Sequence, residues 1–298
     1  MSEPSAGPPP PTLGVCSWSL QVGSVAELAR LLGDLGVSAT QIACGDPHHA
    51  NWSEGDALPE VARASGLVLA GAMLGFAGED YSTPQSIKAT GGFGDPATRP
   101  ERLDRLAWAL ERTVALGLAD LTLHAGFLPE ADHPDRRSIL DTLARAGQMA
   151  ADRGVTLAFE TGQETALLLR MTLDDLKSPN LKVNFDPANM LLYDMGDPLH
   201  AVEILAADIR SVHVKDARRP AIPGNWGEEV PLGEGEVDIP RFLKALKAIG
   251  YAGPLMIERE VGDQAARIRD IRHGLDLVRR HLDDPAGPAD GRPGLPDA

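Results

Sequence analysis

Val155-Thr-Leu-Ala-Phe-Glu160 and Leu181-Lys-Val-Asn-Phe-Asp186 decide the fold. Each is a short apolar run ending in an acid, and successive strand side chains point to opposite faces. Val155, Leu157 and Phe159 therefore share one face, and Thr156, Ala158 and Glu160 the other. Likewise Leu181, Val183 and Phe185 oppose Lys182, Asn184 and Asp186. Six more runs have the same character: Leu13–Trp18, Ala39–Cys44, Leu67–Met73, Asp120–Ala125, Ile209–Lys215 and Pro254–Arg259. Between most of the runs the apolar spacing lengthens to a helical period. In Glu101–Leu118 it is carried by Leu103, Leu106, Leu110 and Val114. In Pro240–Gly250 it is carried by Phe242, Leu243, Leu246 and Ile249, with Gly250 as the stop. Strands that alternate with helices pair in parallel, because parallel neighbours need a crossover. Eight such units between residues 12 and 282 fit the roughly 250 residues of a closed (β/α)8 barrel. The expected fold is therefore an α/β single-domain TIM barrel, with a doubly wound sheet as the alternative.

The composition narrows the function. The 298 residues carry 28 Lys plus Arg against 43 Asp plus Glu, a formal charge of −15. Such a chain repels phosphate backbones, so no nucleic-acid partner is expected. Two cysteines, Cys16 and Cys44, exclude a disulfide scaffold and a zinc site of three or four thiolates. No apolar run is long enough to span a membrane, and Met1–Pro11 is proline-rich without the pattern of a secretory signal. A cytoplasmic protein with no membrane partner is expected. Residues 1–11 and 283–298 read as flexible tails on a barrel of residues 12–282. Two connections, Phe76–Pro100 and Ala217–Asp238, are too long for bare loops. Both follow strands, which places them on the C-terminal face where barrels carry their sites.

Four runs end in a side chain able to hold a metal: Glu160, Asp186, His213 and Glu258. In the seventh run Ser211, His213 and Lys215 oppose Val212 and Val214; in the eighth Met256 and Glu258 oppose Leu255 and Ile257. If the larger aliphatic set faces the helices, all four candidates point into the lumen at one rim. Three carboxylates there repel one another, and a divalent cation removes the conflict. The alternative is a polar plug paired with Lys182 and Lys215. Three carboxylates and one imidazole suit one Mn2+ first, with Mg2+, Co2+ or Zn2+ also accommodated.

These residues, with Phe-Asp-Pro-Ala-Asn-Met (185–190), Val-His-Val-Lys-Asp (212–216), Gly-Glu-Gly-Glu-Val-Asp (233–238) and Gly-Pro-Leu-Met-Ile-Glu (253–258), resemble the xylose isomerase-like sugar phosphate isomerase/epimerase family. That family includes ketose 3-epimerases, hydroxypyruvate isomerase, inosose dehydratase and the endonuclease IV-type repair enzymes. The resemblance covers roughly residues 12–282. It implies a metal on Glu160, Asp186, His213 and Glu258, with Glu160 and Glu258 also acting as acid and base. Ketose 3-epimerases carry histidine three residues after the metal-binding aspartate; here that position is Asn189, which bonds a hydroxyl but carries no proton. Further substrate-binding candidates are His124 at the end of the fourth run, Glu164 beside Gln163, Lys215, Arg219 and Trp226. Lys215 has an ion pair with Asp216 or Glu160 as its alternative. Cys16 and Trp18 close the first run, where Cys16 reads as packing. His48 and His49 follow the second run and leave a second metal site open.

The function so implied is an enzyme of carbohydrate metabolism. It is a divalent-metal-dependent isomerase or epimerase that takes a proton next to a carbonyl through a metal-stabilised enediolate. The alternative is a lyase or dehydratase of a keto-sugar, cyclitol or 3-keto-glycoside on the same site. An endonuclease IV-like nuclease and a non-catalytic sugar-binding subunit are the competing classes. The expected partners are a small sugar or keto-sugar and further copies of the chain in a homo-oligomer. No phosphate-cradling glycine loop is evident, which points to an unphosphorylated substrate.

Overall fold

The computed structural model describes residues 11–283, so both expected tails fall almost wholly outside the described residues. The strands are β1 (Leu13–Cys16), β2 (Ala39–Ala43), β3 (Val68–Leu74), β4 (Asp120–Leu123), β5 (Thr156–Glu160), β6 (Leu181–Phe185), β7 (Ile209–Val214), β8 (Asp216–Arg218), β9 (Glu228–Val230) and β10 (Leu255–Ile257). Eight of them close a parallel barrel in the order β1-β10-β7-β6-β5-β4-β3-β2, while β8 and β9 form a separate antiparallel pair. Each of the eight expected runs supplies one barrel strand, and the barrel is a single-domain (β/α)8 TIM barrel. No helix among the described residues is long and apolar enough to cross a membrane.

The helices are α1 (Val25–Asp34), α2 (Leu58–Ala64), α3 (Pro84–Thr90), α4 (Arg99–Ala115), α5 (Arg136–Ala151), α6 (Ala166–Leu176), α7 (Pro187–Leu192), α8 (Pro198–Leu205), α9 (Ile239–Ala248) and α10 (Gln264–Asp283). Their starts are written locally. Ser24 caps α1 by accepting from Glu27 N, and Thr83 and Ser86 form a reciprocal capping box on α3. The α4 stripe buries Leu103, Leu106, Ala109, Leu110 and Thr113. Val114, expected on that stripe, is 49% exposed, because at about 100° per residue the buried line runs through position 113 instead.

Side chains sort to the two faces as the alternation requires. Phe185 stacks on Phe242 of α9 at 5.8 Å between centroids, so the aliphatic face of β6 meets the helices. Each of these fully buried rings contributes about 1.5–3 kcal/mol of burial free energy. The lumen face is polar and internally bonded: Ser211 Oγ donates to Asn184 Oδ1 at 2.5 Å, and Gln41 Nε2 donates to Thr122 Oγ1 at 3.0 Å. Lys182 leaves this lumen network and pairs with Asp208 at 2.8 Å.

The two long connections are built segments. The loop after β3 contains α3 and is stapled from below: Glu79 accepts from Phe76 N and Gly92 N, and Arg99 and Arg102 donate to the carbonyls of Phe93 and Thr90. The loop after β7 folds back as the β8–β9 pair. Asp216 holds it by accepting from Gly233 N, Gly235 N and Val237 N. A Cβ on Gly235 would lie 2.1 Å from Asp216 Oδ1, so this close approach needs glycine. The strands β3 and β7 stand opposite each other in the barrel order, and their loops meet where Gln85 Nε2 donates to Gly224 O at 2.8 Å.

Candidate metal centre

Asp186 shows how the local sequence aims a ligand. It is the N-cap of α7, with Pro187 at the first helical position. Its Oδ1 accepts from Ala188 N at 2.8 Å and Asn189 N at 3.0 Å. Its backbone is tied to β5 through Thr161 Oγ1, which donates to Asp186 O and accepts from Asp186 N, both at 2.8 Å. One carboxylate oxygen is thus spent on the helix, and Oδ2 is left buried without a partner.

The other three donors arrive from β5, β7 and the end of β10. One ligand atom from each of Glu160, Asp186, His213 and Glu258 lies within 4.8 Å of the others, and all four residues are buried. His213 Nδ1 is 3.1 Å from Glu160 Oε1, 3.4 Å from Glu258 Oε2 and 3.9 Å from Asp186 Oδ2. Its Nε2 lies 2.5 Å from Gln41 Oε1. Because the Gln41 amide nitrogen already donates to Thr122, its oxygen must accept, so the Nε2 proton is fixed there. In the neutral ring the Nδ1 lone pair then faces the three acids. This is the outer-sphere arrangement that orients a metal-binding histidine.

The charges of the site do not balance by themselves. Burial disfavours the Glu258 carboxylate, but Lys215 and His213 outweigh it and hold its carboxyl well below the usual range. Burial likewise opposes Glu160, and His213 and His124 bring it below its ordinary value. Asp186 goes the other way: burial dominates, Lys215 only partly offsets it, and its carboxyl is pushed well above the carboxylate range. Two buried carboxylate oxygens, Glu160 Oε2 and Asp186 Oδ2, lack a hydrogen-bond partner. Such orphans are costly in a protein interior. A divalent cation among them would satisfy both and remove the repulsion, so the donor set fits a divalent cation.

Lys215 is placed at this centre, but its partners are not the two expected alternatives. Its Nζ is 2.6 Å from Glu260, 3.0 Å from Glu258 and 3.6 Å from Glu229, and Asp216 is occupied with its loop. Asn189 donates to Glu160 Oε1 at 3.0 Å, and His124 Nε2 stands 3.6 Å from Glu160 Oε2 at the rim. Trp226 packs edge-on against Tyr193 at 4.7 Å, and its indole nitrogen is buried without a partner, as is Gln163 Oε1. Arg219 lies on the returning loop after β7. Its guanidinium bonds Asp194 at 3.2 Å and Gly196 O at 2.8 Å, because the loop after β7 turns back and carries it to the α7–α8 connection. His48 and His49 belong to none of the groups among the described residues that could share an ion.

Trp18, singled out at the end of the first run, and Gln41, which was not, complete the surround. Trp18 donates through Nε1 to Glu258 Oε1 at 2.7 Å, and Gln41 supports His213. Cys16 lies 3.8 Å from Gln41 Oε1, and its thiol is pushed up to about 12 by burial, so it stays neutral. Trp18 lies two residues past β1, in the turn Ser17–Leu20. For Gln41 the available signal was a glutamine inside an apolar run.

Glu164, in the loop after β5, is buried, and burial pushes its carboxyl up to about 8 from an ordinary 4.5; only the backbone N–H groups of Glu164 and Gly162 oppose this. A raised folded value adds stability that is complete below pH 4.5 and lost as pH rises through about 8. Wild type should therefore lose more unfolding free energy across that window than Glu164→Gln, by on the order of a few kcal/mol. Parallel urea-melt curves for the two proteins would remove Glu164 as a buried neutral acid.

Residues 26–281 match the family model described as xylose isomerase-like TIM barrel. A xylose isomerase domain protein from Planctomyces limnophilus is 32% identical, with 92% of this chain and 98% of that chain covered and a TM-score of 0.83. L-ribulose-5-phosphate 3-epimerase UlaE of Escherichia coli is 29% identical over 191 residues, 61% of this chain and 65% of that enzyme. The match thus spans just under two thirds of the length of that curated relative. The E. coli 3-keto-D-glucoside 4-epimerase YcjR shares the fold at 18% identity, with 91% of this chain and 99% of that chain covered and a TM-score of 0.64.

Proposed function

We propose that this chain, which belongs to the xylose isomerase-like TIM barrel family, is a divalent-metal-dependent sugar epimerase or isomerase that removes a proton next to a carbonyl. The observation that carries the reading is the convergence of Glu160, Asp186, His213 and Glu258, with two of their buried oxygens unpartnered. The similarity to a ribulose-5-phosphate 3-epimerase supports the reaction class. Mn2+ is the ion proposed for these four residues, on the hardness of the donor set. When bound, the cation supplies Lewis-acid stabilisation of negative charge on substrate oxygens.

The chain's own residues supply the proton chemistry. Glu258 is kept ionised by Lys215 and His213, and Glu160 by His213 and His124, so each can accept a proton from carbon at neutral pH. They stand on β5 and β10, separated in the barrel by β6 and β7. Two carboxylates on either side of a substrate plane exchange one proton and invert a centre. One base that returns the proton to the neighbouring carbon transposes the carbonyl. Lys215 keeps Glu258 charged, and Asn189 and Trp18 hold the carboxyl groups of Glu160 and Glu258 in place. An unphosphorylated substrate fits best, because the two cations expected near it, Lys215 and Arg219, are both given to acids. Loss of a β-substituent from the same carbanion is the lyase alternative, favoured only by the family's breadth.

The test is a panel of ketoses, 3-keto sugars and inososes followed by NMR in D2O, before and after EDTA and after Mn2+ is restored. Deuterium should enter the position next to the carbonyl only with metal present. Undiminished exchange by the metal-free protein would reject the cation's part, and binding without exchange would favour a sugar-binding subunit.

A further inference from the structure

A second pair of ionisable side chains stands at the same rim and has no part in the four-residue cluster. Asp46 follows β2 and is 3% exposed. Its carboxylate accepts from the backbone N–H groups of His48, His49 and Gly75 at 3.0–3.1 Å, which fixes it in the loop. The same carboxylate grips the His49 ring, with Nδ1 at 2.9 Å from Oδ1 and 3.1 Å from Oδ2. Burial opposes the charged imidazole, but Asp46 outweighs it and holds His49 above its ordinary value. Nε2 has no partner among the described residues. The ring lies edge-on to Trp18 at 4.9 Å, and Trp18 is the residue that donates to Glu258. The acids that act on His49 besides Asp46 are Glu258 and Glu260, both of the metal-centre rim. The His48 ring is its other titratable neighbour, at 6.5 Å.

The backbone has been cleared for this pair. A Cβ on Gly75, just past β3, would lie 2.9 Å from both Asp46 Oδ1 and His49 Cε1 and 3.0 Å from His49 Nδ1. Real Cβ atoms do not come that close, so glycine is required for the ring to sit where it does. A histidine used only for packing would need neither a fixed carboxylate on one nitrogen nor an unpaired second nitrogen.

We propose that His49, oriented by Asp46 and admitted by Gly75, is a further acid–base group that exchanges a proton with a substrate oxygen beside Trp18. In the forward sense the Nε2–H bond breaks and an O–H bond forms on the substrate. The imidazole becomes neutral, keeping its Nδ1 proton and donating it to Asp46, and Nε2 is reprotonated from a product hydroxyl or water. Inverting a carbon centre needs only the two carboxylates. Moving a carbonyl, or expelling a hydroxyl or alcohol, also needs a proton on oxygen, and His49 supplies it. The inference rests on the metal-dependent reading above and adds the oxygen acid to it.

The test uses Mn2+-loaded protein and glycolohydroxamate, a small planar anion with two adjacent oxygens, as the probe. In the wild type the hydroxamate should bind in a Mn2+-dependent way by calorimetry. His49→Ala should weaken it by roughly 10- to 100-fold, the cost of one hydrogen bond to a charged group, with Mn2+ affinity unchanged. Gly75→Ala, which displaces the ring without deleting it, should weaken the probe in the same direction. Unchanged hydroxamate affinity in His49→Ala would overturn the assignment. So would a parallel fall in Mn2+ affinity, because it would make His49 a support of the metal centre. If the wild type ignores the probe with Mn2+ bound, the metal reading and this inference fall together.

Discussion

Glu258→Gln should lower proton exchange at the substrate carbon by roughly 100- to 10,000-fold, the range for losing a positioned acid–base group. The fold should survive, and the contacts say why. Trp18 needs an acceptor at Oε1, and the glutamine carbonyl provides one. Lys215 loses its 3.0 Å partner but keeps Glu260 at 2.6 Å, so no buried ammonium is stranded. That distinction matters because a buried charge left alone costs about 3–5 kcal/mol, enough to confuse loss of activity with unfolding. Deuterium incorporation by NMR, read beside a circular dichroism melt, separates the two. Exchange at the wild-type rate would take Glu258 out of proton transfer. A collapsed melt with residual exchange would show that the Lys215 pair serves the fold first.

The barrel and its four converging donors were legible because the information is local. An apolar run that ends in an acid names both a strand and its lumen-facing tip, and parity alone puts Glu160, Asp186, His213 and Glu258 on one rim. Strand ends moved by one or two residues, as at Trp18 and Arg259, which lie just beyond β1 and β10. What stayed hidden is what depends on distant partners. Lys215 pairs with Glu229 and Glu260 because β9 and the segment after β10 come to it, and nothing near residue 215 announces that. The partners of Arg219 were hidden in the same way: β8 and β9 turn the loop back, and its guanidinium meets Asp194 and Gly196 of the α7–α8 connection. Gln41 carried no signal beyond its place in a run and Trp18 only its place at a strand end; their polar atoms become meaningful only against His213 and Glu258. Asp46 and His49 sit in a short loop whose shape depends on Gly75, 29 residues from Asp46 along the chain.

His213→Ala carries the second large effect. The imidazole is the one nitrogen donor of the cluster, and its Nδ1 stands within 3.9 Å of an oxygen from each of the three acids. Removing it deletes the proposed nitrogen ligand and leaves Gln41 Oε1 only the Cys16 thiol at 3.8 Å. Its loss also leaves the three buried acids facing one another without the imidazole between them. The fall in Mn2+ affinity should exceed the roughly 10- to 100-fold typical of losing an outer-sphere support. The most direct measurement is a Mn2+ titration of wild type and His213→Ala side by side, followed by the loss of free-ion signal in electron paramagnetic resonance. A shared cation site predicts one tightly held ion per wild-type chain and none held tightly by the variant. Equal uptake by both proteins, or no uptake by the wild type, would contradict it.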